Sequence, residues 1–328
     1  HSSVDPSIPS ALSNNDFIVF FTNKIGFIGL PNMKYYYVFL FFVFIISVLG
    51  NTVVMTVICL DQNLRTPKYV AVFNLAFVDL LGSTALVPKV IDIFLFNHNS
   101  ITYNDCMAFF FFCYSFLSMQ SLNLVALSYD RLMAIMFPLH YHVKVTHKIM
   151  FSLILFFWLL VFISNIMAIV LLTRLSFCNS VVINSYFCDY GLIHRLACND
   201  NFPSYVLGHI LPVLILWIPL VIILFSYICI GHALGKVAAS EERVKAFKTC
   251  TAHISLVAIY YVPILISFTM YANIHQNARI INLSLTSVVP PMLNPIIYVL
   301  QTQEIKCSIK KLIQIKSIPL LSSLPLFS

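Results

Sequence analysis

Seven apolar runs, each long enough to cross a lipid bilayer, constrain this chain more than any other feature of its sequence. They cover residues 35–60, 69–91, 106–129, 149–172, 205–230, 249–272 and 280–300. Among the seven, only residues 69–91 include charged side chains, Asp79 and Lys89. A helix of about 20 apolar residues spans the hydrocarbon core, whereas a barrel strand is about half as long and alternates. Because the bilayer leaves only helices or closed barrels viable, we predict an all-α membrane protein, a seven-transmembrane helix bundle.

The composition supports one membrane domain. Hydrophobic residues make up 60% of the chain and charged residues 9%, against about 25% charged in a soluble domain. The loops between the runs are too short to form a second domain. We therefore expect an amino-terminal segment (residues 1–34), a transmembrane domain (residues 35–300) and a carboxy-terminal tail (residues 301–328).

The distribution of basic residues predicts the orientation of the chain. With the amino terminus outside, thirteen Lys and Arg residues fall on the cytosolic side and five on the opposite side. This excess fixes the topology by the positive-inside rule. Residues 1–30 lack the pattern of a cleavable signal, so the first span is expected to target the chain. The basic residues are expected to contact membrane lipid, and no basic, aromatic-interleaved region indicates nucleic-acid binding.

Four cysteines lie on the side predicted to be extracellular, where disulfides persist. Cys106 opens the third run, and Cys178, Cys188 and Cys198 lie in the following long loop. Four cysteines allow three pairings, which the spacing alone does not decide. They lack the paired spacing of zinc ligands, so no metal site is expected.

Ionisable residues inside membrane spans are costly and usually face the bundle interior. Asp79 is the deepest of them, and polar residues on other spans, Asn51, Gln120 and Asn294, are its candidate partners. Either a buried polar network or a cation site would satisfy this carboxylate. Lys89 and Asp92 lie three residues apart, the spacing of a pair on one helix face.

An acid and a base stand side by side at the cytosolic end of the third run. Asp130 and Arg131 occupy this position. An Arg there is explained by snorkelling to the membrane surface. The functional alternative is a charge that is masked in one conformation and exposed to a partner in another.

Motifs on several spans together resemble the rhodopsin-like G-protein-coupled receptors. They are Gly50-Asn51, Asn74-Leu75-Ala76 with Asp79, Asp130-Arg131, and Asn294-Pro295-Ile296-Ile297-Tyr298. A second set resembles the odorant receptor subfamily, and the overall character of the chain suggests a fish-type member. This set comprises Leu64-Arg65-Thr66-Pro67, Val87-Pro88-Lys89, Pro138-Leu139-His140-Tyr141, Lys245-Ala246-Phe247 with His253, and Pro290-Pro291-Met292-Leu293.

The resemblance implies a function, a location and two disulfides. It implies an odorant receptor in the plasma membrane of sensory neuron cilia, without a cofactor or enzymatic activity, that activates a stimulatory heterotrimeric G protein and raises cyclic AMP. It also implies Cys106–Cys188 and Cys178–Cys198 bridges and a short amphipathic helix after the last span.

The resemblance further implies two sets of site residues. Small, mostly apolar odorants would contact Cys113, Tyr114, Leu117, Ser118, Tyr261, Ile264, Phe268 and Ser287. G-protein coupling and activation would use Asp130, Arg131, Tyr227, Lys245, Lys248, Asn294, Pro295 and Tyr298.

Some positions depart from the family pattern. Leu132 follows the Asp-Arg pair in place of an aromatic residue, and Met136 replaces a cysteine. Gln120 stands where the subfamily tends to carry an acid, which argues against a cation site at Asp79. Cys113 occupies the position of the amine-binding aspartate of other receptors, so a counter-ion for an amine is missing there.

Three other functions compete with an odorant receptor. A rhodopsin-like receptor for a peptide or lipid shares most of the framework, and the motifs around residues 245–253 argue against it. A transporter or channel would be expected to show internal repeats or a charged pore lining, and neither occurs. An enzyme would need a catalytic cluster, whereas His209 and His253 have no partnering acid in the sequence.

Overall fold

A computed structural model of the chain describes residues 18–21, 33–95, 100–177, 182–183, 188–199, 202–236, 240–269 and 276–321. Its elements in chain order are β1 (Ile18–Phe21), α1 (Met33–Leu60), α2 (Pro67–Leu95), β2 (Ser100–Thr102), α3 (Tyr103–Met136), α4 (Tyr141–Lys144), α5 (His147–Leu172), β3 (Val182–Ile183), α6 (Tyr190–Arg195), α7 (Phe202–Pro212), α8 (Ile218–Gly235), α9 (Ser240–Thr269), α10 (Gln276–Gln301) and α11 (Gln303–Leu321).

The seven predicted runs correspond to α1, α2, α3, α5, α7 with α8, α9 and α10, which confirms the predicted seven-transmembrane class. Within the described residues, six helices are long and apolar enough to cross a membrane. The seventh, α10, contributes a shorter described apolar stretch, Ser284–Leu300. A π-helical turn, Val213–Trp217, follows Pro212 and joins α7 to α8 in one continuous span.

Helix α3 is the central helix of the bundle. In its apolar segment 72% of the residues are buried, against 28% in α1 and 33% in α5. Its buried side chains include many polar ones, such as Gln120, Ser121 and Asn123. Large apolar residues on the outer helices, such as Phe42 and Phe225, are instead exposed. Polar groups inside and apolar groups outside are expected when the surrounding solvent is lipid.

Helices α1 and α10 approach closely because residue 50 is glycine. A Cβ added at Gly50 would lie 2.8 Å from Cγ of Pro295. Pro295 has no N–H to donate to the carbonyl of Pro291, one turn earlier. The side chain of Asn51 supplies the missing donor, with its Nδ2 2.8 Å from the Pro291 oxygen. The Gly-Asn pair therefore fits α1 against a helix that contains prolines.

A hydrogen-bond chain joins α2, α3 and α5. Asn74 of α2 donates to Asn123 Oδ1 of α3 at 2.8 Å. The indole N–H of Trp158 in α5 donates to Asn74 Oδ1 at 3.1 Å. Because each bond joins a different pair of helices, the chain fixes the relative depth of all three.

A small three-stranded sheet lies at the end of the bundle where α3 begins. Strand β1 is central, antiparallel to β2 and parallel to β3. The sheet therefore ties the amino-terminal segment to the loops before α3 and α6. The apolar runs gave no indication of it, because the strands are only two to four residues long.

The helix expected after the last span is α11, which is amphipathic. Its buried side is anchored by polar contacts: Ser308 donates to Asp61, and Glu304 accepts from Tyr69 and Lys68. The hydrogen bond from Ser308 lowers the pKa of Asp61. The pKa of Glu304 is also lowered, because the contacts with Tyr69 and Lys68 outweigh the effect of burial.

Candidate functional site

The end of the bundle that carries Cys106, called here the disulfide end, is closed by a covalent bond. Cys106 at the start of α3 is bonded to Cys188, with their Cα atoms 5.7 Å apart. Cys198 is also disulfide-bonded, and its predicted partner Cys178 lies outside the described residues. The Cys106–Cys188 bond holds the segment that precedes α6 next to the start of α3.

Asp189, next to the disulfide, connects this segment to the bundle. Its Oδ1 accepts from the backbone N–H of Leu192 at 3.0 Å and so caps α6. Its Oδ2 accepts from the hydroxyl of Tyr114 at 3.2 Å. Tyr190 bonds to Ser204 of α7 at 2.7 Å, and burial raises the pKa of Tyr190. The lid formed by α6 is thus fixed to both α3 and α7.

The predicted odorant contacts on α3 face different neighbours. Cys113 is buried in an apolar cluster with residues of α1, α2 and α10, including Leu40 and Val288. Tyr114 packs at the border of that cluster and the one beneath the lid. Ser118 is buried, and the backbone carbonyl of Leu117 accepts from Tyr260 at 2.7 Å.

The predicted contacts on α9 belong to a different cluster. Tyr261 and Ile264 pack with residues of α3 and α8. The Tyr261 hydroxyl bonds to Ser121 Oγ of α3 at 2.7 Å. Ser121 also donates to the carbonyl of Ile215 in the π-helical turn at 2.8 Å. Of the remaining predicted contacts, Ser287 is partly buried in α10, and the side chain of Phe268 lies outside the described residues.

A groove and a small cavity lie within the described part of the bundle, and neither is lined by a predicted odorant contact. The larger, about 360 Å³, lies between α8 and α9. The smaller, about 10 Å³, is lined by polar and apolar residues that include Gln120, Tyr260 and Asn294. Cys113, Tyr261 and Ile264 instead pack in apolar clusters with residues of neighbouring helices.

A buried polar network occupies the middle of the bundle. Asp79 Oδ1 accepts from Gln120 at 2.8 Å, and its Oδ2 accepts from Asn294 at 2.6 Å. Two of the three candidate partners thus meet the carboxylate directly. Asn51 binds Ser47 and Pro291 instead. The Ser47 hydroxyl lies 3.1 Å from that of Ser83, which donates to the backbone carbonyl of Asp79 and not to its carboxylate.

The opposite end of the bundle, called here the arginine end, carries Asp130 and Arg131. Tyr141 of α4 donates to Asp130 Oδ1 at 2.6 Å. Burial raises the pKa of Tyr141, and the charge of Asp130 raises it further, so the hydroxyl remains protonated and donates. Arg131 Nε lies 3.6 Å from Asp130 Oδ2. Among the described side chains, the acid that Arg131 contacts is therefore Asp130, its neighbour in the sequence.

The other predicted coupling residues surround this pair. Tyr227 of α8 bonds through its hydroxyl to His253 Nδ1 of α9 at 2.7 Å. The hydroxyl of Tyr298 is buried, and within the described residues no hydrogen-bond partner is found for it. Lys248 is exposed, and the side chain of Lys245 lies outside the described part of α9.

Several residues that build these sites carried no signal in the sequence. Ser121 and Tyr260 resemble ordinary packing residues, and only the α3–α9 contact gives them partners. Asp189 directly follows the predicted disulfide cysteine Cys188, and this position is the signal in the sequence that points to it. Among the described residues, no group of three His, Cys, Asp or Glu could hold a metal ion.

Comparisons with known proteins agree with one another. A family model described as "Olfactory receptor" matches residues 40–316. The chain is 32% identical to Olfactory receptor 1496 of Rattus norvegicus over 92% of this chain and 98% of that protein. It is 33% identical to Olfactory receptor 1 of the same species over 87% of this chain and 92% of that protein. The crystal structure of squid rhodopsin matches with a TM-score of 0.66 at 20% identity, covering 92% of this chain and 90% of that chain.

Proposed function

The chain belongs to the olfactory receptor family, and on that premise we propose how this rhodopsin-like, multi-pass membrane receptor works. It binds small, mostly apolar odorants near the disulfide end and activates a stimulatory heterotrimeric G protein at the arginine end, which raises cyclic AMP. The disulfide end faces the cell exterior, with the amino terminus, and the arginine end faces the cytosol. The plasma membrane of sensory cilia is the proposed location.

One observation supports this proposal most strongly: the buried helix α3 contributes residues to the disulfide end, to the Asp79 network and to the arginine end. It carries Tyr114 beneath the lid, Gln120 at the Asp79 network, and Asp130 with Arg131 at the other end. Protein interiors are closely packed and transmit displacement. A shift of α3 or of the helices bonded to it therefore reaches the arginine end.

The odorant site lies between α3 and α9, below the lid. Tyr114, Leu117, Ser118, Tyr261 and Ile264 supply a largely apolar wall with a few hydroxyl groups, the usual composition of small-ligand sites. Cys113 and Ser287 close the side towards α10, and Phe268 lies near the end of α9. An apolar ligand of suitable shape gains binding free energy by replacing contacts between these side chains.

Activation requires a conformation in which Arg131 is open to a partner. A ligand shifts this equilibrium only through its preference for the active arrangement. Because the acid that Arg131 contacts is Asp130, on α3 itself, an outward movement of α9 breaks no described ion pair. Such a movement separates Tyr227 from His253 and frees Tyr227 and Tyr298 to rearrange around Arg131. Lys245 and Lys248 then border the exposed surface, and Asn294 and Pro295 allow α10 to adjust.

The test is a panel of odorants applied to cells that express this chain with an olfactory-type stimulatory G protein, with cyclic AMP as the readout. Arg131→Ala is expected to reach the cell surface and to lose the response. Lys310→Ala is the matched control, because Lys310 is an exposed basic residue at the same end of the bundle. A normal response from a surface-expressed Arg131→Ala variant contradicts the proposed role.

A further inference from the structure

We propose that the groove between α8 and α9 at the arginine end binds an anionic phospholipid, with one acyl chain in the groove and the phosphate at its basic rim. The groove has a volume of about 360 Å³. It is lined from α8 by Tyr227, Ile230, Gly231 and Leu234, and from α9 by Phe247, Cys250, Thr251, Ile254, Ser255 and Ala258. It shares no residue with the proposed odorant site.

The lining is suited to a hydrocarbon chain. Its hydroxyl groups are already satisfied: Tyr227 bonds to His253, and the hydroxyls of Thr251 and Ser255 donate to carbonyls one turn earlier in α9. A ligand therefore finds hydrophobic contacts but few unpaired polar groups. Polar ligands lose their hydration in such a site without gaining new bonds.

The groove opens towards the lipid. Phe247 and Ile254 in its wall are 66% and 47% exposed. An added Cβ at Gly231 would meet no atom within 4 Å. In a membrane-spanning segment these surfaces face acyl chains, which are the molecules present to fill the space.

The length of the groove matches one leaflet. Along α9 the lining runs from residue 247 to residue 258, or about 16 Å at the helical rise of 1.5 Å per residue. Half of a hydrocarbon core of about 30 Å is about 15 Å. One acyl chain can therefore follow the groove from the membrane surface towards the bilayer centre.

The rim at the surface end carries positive charge. Arg243 is exposed and lies four residues before Phe247, so both occupy one face of α9. Lys248 is exposed beside Phe247, and residues 236–248 hold four basic and two acidic residues. A phosphate at the end of the groove meets this net positive charge, and Lys and Arg near a membrane surface attract anionic lipid.

The two glycines of α8 provide a matched pair of variants. Gly231 lines the groove, whereas Gly235, one turn later, does not. Neither would bring a new Cβ within 4 Å of another residue. Gly231→Leu is therefore expected to fill the groove without disturbing the helix, and Gly235→Leu adds the same side chain outside it.

The experiment is photolabelling of the purified full chain in nanodiscs. The probes are phosphatidylglycerol and phosphatidylcholine, each with a diazirine on one acyl chain. Labelled peptides from residues 227–234 and 247–258 are compared with residues 151–156 of α5, an exposed apolar face in the same half of the membrane. The expected result is preferential groove labelling by phosphatidylglycerol, which Gly231→Leu abolishes and Gly235→Leu preserves. Arg243→Gln should lower the preference for phosphatidylglycerol about fivefold, while Lys310→Gln leaves it unchanged.

Three results overturn the proposal: equal labelling of the groove and the α5 face, equal labelling by the two lipids, or equal loss in the two glycine variants. Absence of labelling of the groove by either lipid would also overturn it. The inference rests on the proposed function only in placing the arginine end, and with it the groove, on the cytosolic side. Because the nanodisc assay uses neither odorant nor G protein and both leaflets have one composition, it can fail or succeed independently of the cyclic AMP test.

Discussion

Replacing Gly50 with alanine tests the close contact between α1 and α10. The added Cβ would lie 2.8 Å from Pro295 Cγ and 3.1 Å from its Cβ. The optimal separation of two such carbon atoms is about 3.5–4.0 Å. The proline ring is rigid and buried in α10, so relief requires that the two helices move apart by several tenths of an ångström.

Two costs follow from this movement, and one gain opposes them. Overpacking of a buried contact costs about 1–3 kcal/mol. Moving Asn51 away from the Pro291 carbonyl weakens its 2.8 Å bond to a buried acceptor, and a full loss would add about 1–3 kcal/mol. Replacing glycine in a helix gains about 0.5–1 kcal/mol. We expect a net destabilisation of about 2 kcal/mol.

The assay is thermal unfolding of the purified receptor in detergent, followed by the reactivity of its buried cysteines with a fluorogenic dye. Gly235→Ala is the control, because its new Cβ meets nothing within 4 Å and only the helical gain applies. Gly50→Ala should unfold several degrees below the parent and Gly235→Ala at or slightly above it. If the two variants unfold at the same temperature, the proposed glycine–proline contact does not limit the packing of α1.

Three further predictions concern the ends of the bundle. Cys188→Ser should strongly reduce surface expression, because a disulfide closing an 82-residue separation contributes about 4.5 kcal/mol in the chain-entropy model. Tyr114→Phe should speed hydrogen exchange in α6 by removing the donor to Asp189. The pKa values of Asp61 and Glu304 are lowered when α11 is docked, so their ionised forms stabilise docking. This stabilisation is complete above their ordinary pKa values of 3.8 and 4.5, and it is lost as the pH falls through the lowered values. A spin label on α11 should therefore become mobile in acid, and Asp61→Asn should be less pH-sensitive; an immobile label at low pH contradicts this.

Much of the site can be predicted from the sequence, because membrane spans contain few polar residues and each of them needs a polar partner. Asp79 stands out in an apolar run, and Gln120 and Asn294 were among few polar groups on other spans that could reach it. Lys89 and Asp92 form the predicted pair, with a separation of 2.9 Å, because residues three apart on a helix are neighbours whatever the rest of the fold does.

Other contacts depend on distances between helices, and these are absent from the sequence. The sequence makes Asn51 a candidate partner of Asp79, but its side chain donates to the Pro291 carbonyl, which Pro295 leaves without a donor. Only the packing of α1 on α10 reveals this contact. Cys113 and Tyr261 are both predicted odorant contacts, yet they belong to different apolar clusters. Ser121 gained significance only when α9 placed Tyr261 against it.

By itself, the sequence determined the number of spans, the central acid and the likeness to a receptor family, because hydrocarbon length and the cost of buried charge act on each segment separately. The tertiary structure alone decided the sheet at the disulfide end, the docking of α11 through Asp61 and the groove between α8 and α9. Each of these depends on how segments far apart in the chain meet. Two helix faces can be equally apolar in the sequence, and only the packing of other segments determines which one is covered and which one borders a groove.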